Sequence, residues 1–168
     1  MLTVQLDATG LESGQMHPMH IHGRVDAFGN PLPPLVPSDL DRDGFIETPE
    51  AVPAIGDVLL PLDAPPGSGS FPIAVGGAIH FSQTYTLSNL LVTELTPLNL
   101  RTVEIHGMTV GTQGAGTPYE VNGIPGYKAE LPVASAMPAA VPEPATFSMM
   151  GAGLLLAALC RRAVRRRA

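Results

Sequence analysis

The chain opens with apolar Leu2, Val4 and Leu6 alternating with Thr3, Gln5 and Asp7, the period-2 pattern of a half-buried strand over 2–7. Further short apolar runs predict strands over 18–22, 57–62, 71–75, 78–87, 101–110 and 127–134, each bounded by Gly, Pro or Asn. Within 87–95 the spacing also fits a short helix, with Ser88 as its N-cap. Gly111-Thr-Gln-Gly-Ala-Gly-Thr-Pro118 reads as a flexible loop.

Composition agrees with an all-β reading. There are 18 glycines and 18 prolines, no tryptophan, and a hydrophobic content of 45% that suffices for a core. Seven strands at this spacing predict an antiparallel β-sandwich of immunoglobulin or superoxide-dismutase character. The expected division is a β domain over 1–135, a Pro/Ala linker over 136–146 and an apolar helix with basic residues over 147–168. Cys160 is the sole cysteine, so no internal disulfide contributes. No phosphate-binding glycine loop or Gly-x-Ser-x-Gly elbow occurs.

Charge divides the chain sharply. All 15 carboxylates lie at or before Glu143, opposed there only by Arg24, Arg42, Arg101 and Lys128. Arg161, Arg162, Arg165, Arg166 and Arg167 crowd the last eight residues. An acidic body without a basic stripe argues against nucleic-acid binding, and the asymmetry assigns the tail its own task.

In that tail, Pro142-Glu143-Pro144 precedes an uncharged run from Ala145 to Cys160, 16 residues long. The run falls a little short of the roughly 20 residues that span a bilayer, a difference that snorkelling Arg161 and Arg162 could make up. Arginines on the C-terminal side put that end in the cytoplasm and the acidic body outside. The order of these three parts resembles the PEP-CTERM sorting domain of Gram-negative bacteria, over about the last 28 residues. The resemblance implies recognition by an exosortase-type membrane protease, transient anchoring in the inner membrane, cleavage near Pro142-Glu143-Pro144, and delivery to the envelope or beyond. Met1-Leu-Thr-Val-Gln-Leu-Asp7 has neither the basic start nor the apolar stretch of a signal peptide. The expectation is therefore that the native start lies upstream.

Residues 39–50 match the defined positions of the twelve-residue calcium loop of EF-hands. Asp39, Asp41 and Asp43 supply carboxylates at positions 1, 3 and 5, and Gly44 permits the turn. Phe45 offers its carbonyl, Glu47 binds through water, and Glu50 closes the site as a bidentate ligand. Ile46 is expected to pack behind the loop. Pro31-Leu-Pro-Pro-Leu-Val-Pro37 forbids an entering helix, and Pro49 with Pro53 allows one short turn at most afterwards. The expectation is a lone structural calcium loop inserted in another fold, without the helix pair that a sensor reorients.

Of five histidines, His17, His20 and His22 cluster in His17-Pro-Met-His-Ile-His-Gly23. On a strand, His20 and His22 share one face and Ile21 faces the core. Two such imidazoles could bind zinc or copper, with His80 or His106 completing the site. Copper/zinc superoxide dismutases use a comparable His-x-His pair, so a metalloenzyme of that type is the alternative function. Met19-His-Ile-His-Gly23, Gly56-Asp-Val-Leu-Leu-Pro-Leu62, Val103-Glu-Ile-His-Gly-Met-Thr-Val110 and Lys128-Ala-Glu-Leu-Pro-Val133 together resemble the CHRD domain, the β-rich module named after chordin. That resemblance covers roughly 1–135 and implies an extracellular structural or binding role. The leading expectation is a non-enzymatic, calcium-stabilised surface protein of an exopolysaccharide-rich envelope.

Overall fold

The computed structural model describes residues 1–24, 32–111 and 125–141. The alternation at the start does form a strand, β1 (Leu2–Thr9), whose residues are half-buried and exposed in turn. It pairs antiparallel with β4 (Ala78–Tyr85), Leu6 standing opposite Phe81 and Asp7 opposite His80. The second sheet runs β3-β2-β5-β6, built from β2 (Met19–Gly23), β3 (Asp57–Pro61), β5 (Thr102–Val110) and β6 (Gly126–Ala136). All its pairings are antiparallel.

One apolar cluster joins the two sheets. Met19, Ile21, Leu60, Val103 and Ile105 from the larger sheet meet Ile79, Phe81 and Tyr85 from β4, and Leu2, Val4 and Leu6 pack against them. Met19 and Leu62 are fully buried, so truncating either to Ala would cost about 2–5 kcal/mol. Tyr85 Oη donates to the Asp63 carbonyl at 3.0 Å, giving a core phenol its partner.

Two expectations change and one open alternative is decided. The described residues form six strands in a two- and a four-stranded sheet, because segment 71–75 makes only isolated bridges, Met16 with Ile73 and Val75 with Ala78. Pro72 has no N–H to give a ladder, and Gly76 and Gly77, both at positive φ, turn the chain immediately into β4. The segment 87–95 is helical: α2 (Asn89–Leu95) starts with the Ser88 hydroxyl accepting from Leu91 N–H at 3.2 Å. After the acidic loop comes a helix of eight residues, α1 (Thr48–Ile55), longer than the single turn expected. Pro49 lies in the first turn, where no intrahelical N–H is lost, and Pro53 removes one bond only. The helix is then anchored by buried Ala51 and Ile55.

The prolines before the loop act as expected: among described residues 32–39 the only regular structure is a 3-10 turn, Val36–Ser38. Pro142, Glu143, Pro144 and the expected apolar helix from 147 lie outside the described residues. Among the described residues no helix is long and apolar enough to cross a membrane.

Candidate functional site

The strand pattern puts Met19 and Ile21 in the core, so His20 and His22 project from the opposite face of the larger sheet. Register places Glu104 opposite His20 and Thr102 opposite His22, with Ser135 beyond Glu104. A bulge falls between Ile21 and His22 on the β3 side, and further shifts flank His106 on the β6 side. Bulges re-aim side chains, and here they occur at two of the three histidines that converge. Each of His20, His22 and His106 brings a ring nitrogen within 4.8 Å of the others. Ring centroids lie 5.2 Å apart for His20 and His106, and 5.7 Å for His20 and His22.

Two of these rings have a fixed tautomer. His22 Nδ1 donates to the Gly56 carbonyl at 3.1 Å, and His106 Nδ1 donates to the Glu130 carbonyl at 2.8 Å. Their Nε2 atoms therefore carry lone pairs, and both are buried without a hydrogen-bond partner. His20 Nδ1, Thr102 Oγ1 and Glu104 Oε2 share that condition, so five of the six such atoms among the described residues belong to this face. An unsatisfied buried polar group costs about 1–3 kcal/mol, and native folds rarely cluster them.

Burial keeps the rings neutral. Desolvation lowers His20 and His106 to about 4, helped at His20 by the neighbouring imidazoles of His106 and His22 and at His106 by that of His22. His22 is lowered too, again by desolvation first. Glu104 moves the other way, raised to about 7 by burial against a hydrogen bond from Ser135. A cavity of about 180 Å³ opens beside the three rings, lined also by Pro18, Thr48, Val58, Ala129 and Glu130.

Not every histidine singled out by the sequence belongs here. His80 stands on the smaller sheet, 77% exposed, with its Nδ1 donating to Asp7 at 2.6 Å. Ladder register, which the sequence does not display, separates it from His20. His17 is buried with its ring between the carbonyls of His106 (2.9 Å) and Glu12 (3.0 Å), a bracing role. The glycines after the histidine motifs admit crossing side chains. A Cβ at Gly107 would lie 1.9 Å from Tyr127 Oη, and one at Gly23 would lie 2.5 Å from Arg101 Cδ.

The acidic loop curls its carboxylates inward. Asp39 accepts from Arg42 N–H at 2.7 Å and from Gly44 N–H at 3.1 Å, Asp41 from Asp43 N–H at 3.1 Å, and Asp43 from Phe45 N–H at 2.9 Å. Gly44 sits at φ 95°, the left-handed conformation that favours glycine. Asp39, Asp41 and Asp43 have carboxylate oxygens within 4.8 Å of one another, and so do Asp41, Glu47 and Glu50. Glu50 Oε1 accepts from Leu40 N–H at 2.6 Å, closing the loop end to end. Burial pushes the Glu50 carboxyl up, but hydrogen bonds from Glu47, Leu40 and Asp41 outweigh it, and the net shift is downward.

Glu47 also caps the helix that follows the loop. It is 2% exposed and serves as N-cap of α1, in a capping box where Glu47 N–H donates to Glu50 Oε2 at 3.2 Å. Phe45, rather than Ile46, packs with Val110 and Leu131 behind the loop.

Residues 140–167 match the PEP-CTERM protein-sorting motif. The chain carries an exosortase sorting tail. The motif implies secretion, direction to the envelope and processing by an exosortase; it covers the tail and leaves the body unassigned. No curated protein and no solved structure matches the chain, and the CHRD-like resemblance of residues 1–135 gains no support.

Proposed function

We propose that the chain is an exported, non-enzymatic, calcium-binding protein of the cell envelope, held in the inner membrane by its apolar tail until an exosortase removes it. The observation that carries the reading is the convergence of five carboxylates from the twelve-residue loop into two overlapping groups that share Asp41. Backbone N–H groups hold Asp39, Asp41 and Asp43 inward. Like charges so close repel unless a cation lies among them. All-oxygen donors at this number suit calcium, and the calcium of an external compartment makes modest affinity sufficient.

Thermal unfolding tests the calcium reading. Calcium at about 100 times its dissociation constant adds about 2.7 kcal/mol, a rise of about 5–10 °C for a domain of this size. Excess chelator reverses the rise, and Asp39→Ala abolishes it. A melting temperature indifferent to calcium and chelator would overturn the reading.

A further inference from the structure

We propose that His20, His22 and His106 form a binding site for one zinc-class divalent transition metal, separate from the acidic loop. The site is built before any metal arrives. His22 and His106 each give Nδ1–H to a backbone carbonyl, of Gly56 and Glu130. Such outer contacts fix the tautomer and aim the opposite nitrogen of a metal-binding histidine. The aimed atoms, His22 Nε2 and His106 Nε2, are buried without a partner on side chains 2% and 3% exposed. His20 Nδ1 is a third unpartnered ring nitrogen in the same cluster.

None of the three nitrogens has a hydrogen-bond partner, whereas a Lewis acid satisfies all three together. Tetrahedral zinc with Zn–N of about 2.0–2.1 Å sets its nitrogens about 3.4 Å apart. The ligand nitrogens already lie within 4.8 Å of one another, and zinc binding draws them together toward that value. Neutral imidazole selects zinc and its neighbours rather than calcium, which takes oxygen. Three protein ligands leave a fourth position, and the adjoining cavity of about 180 Å³ has room there for water or a small anion. Glu104 and Thr102 lie on the same sheet face and outside the three-nitrogen group.

The inference goes beyond the calcium reading and is testable with that reading left aside. Zinc is titrated into the metal-free full-length chain in millimolar calcium, which keeps the acidic loop occupied or, should the loop bind nothing, simply inert. The expected result is one zinc per chain, with affinity reduced at least 100-fold in His22→Ala and in His106→Ala and unchanged in His80→Ala. X-ray absorption at the zinc edge of the wild-type chain needs no variant to fold, and should show three imidazole nitrogens with one further light atom. Absence of stoichiometric zinc, or an all-oxygen shell, would overturn the proposal.

Discussion

At the residue scale, the histidine-bearing face sets the acid response of the metal-free chain. His20 and His106 stay neutral in the folded state down to about pH 4, whereas unfolded histidine protonates near 6.5. Between those values the unfolded state binds more protons, so stability falls as pH drops from 6.5 to 4. Glu104 opposes this: folded it protonates near 7, and unfolded near 4.5, so it stabilises on acidification across that interval. Two groups outweigh one, with His22 shifted in the same direction as the pair. Urea unfolding from pH 7 to 4.5 should therefore show a net loss of stability, with a steeper slope in Glu104→Gln. A flat profile in both proteins would contradict the assignment of neutral buried imidazoles.

At the element scale, α1 links the acidic loop to the histidines. Its N-cap is Glu47 and its third residue Glu50, both from the loop. Thr48 at its start lines the cavity and donates to the Glu130 carbonyl at 2.6 Å, the same carbonyl that holds His106. Gly56, its C-cap, holds His22. Glu47→Ala removes half of the capping box, at a cost of about 1 kcal/mol. It should lower the melting temperature by about 2–5 °C, with faster amide exchange confined to α1. Exchange unchanged in α1 would show that the cap does not hold the helix.

The same element shows how far sequence reasoning reaches. Prolines 49 and 53 predict a single turn, yet tertiary burial of Ala51 and Ile55 sustains two. Strand β1 is legible because its alternation reports burial directly, β2 to β6 because short apolar runs stand between Gly, Pro or Asn, and Ser88 announces α2 through its cap chemistry. Segment 71–75 has the composition of a strand, but its pairing depends on Pro72 and the Gly76-Gly77 turn. His20 and His22 are visible as a pair on one strand. The choice of His106 over His80 follows from register, and the carbonyls of Gly56 and Glu130 come from 34 and 24 residues away. Local spacing carries no record of such partners, nor of the bulges that aim the rings.

At the scale of the whole molecule, the division of charge and the sorting motif tell one story. An acidic body lies before a sorting motif at residues 140–167 that ends in a cluster of arginines. Cys160 is the sole cysteine and lies in the tail, so the shared core of the two sheets carries the body's stability. The proposed calcium site fits the destination that the motif implies, because calcium is abundant outside the cell and modest affinity suffices there. Native mass spectrometry of the chain recovered from the cell envelope addresses export, processing and cation binding at once. The account predicts a mass that lacks the arginine cluster and carries one calcium released by chelator. Recovery of the chain with its arginines intact, or without calcium after equilibration in millimolar calcium, would contradict it.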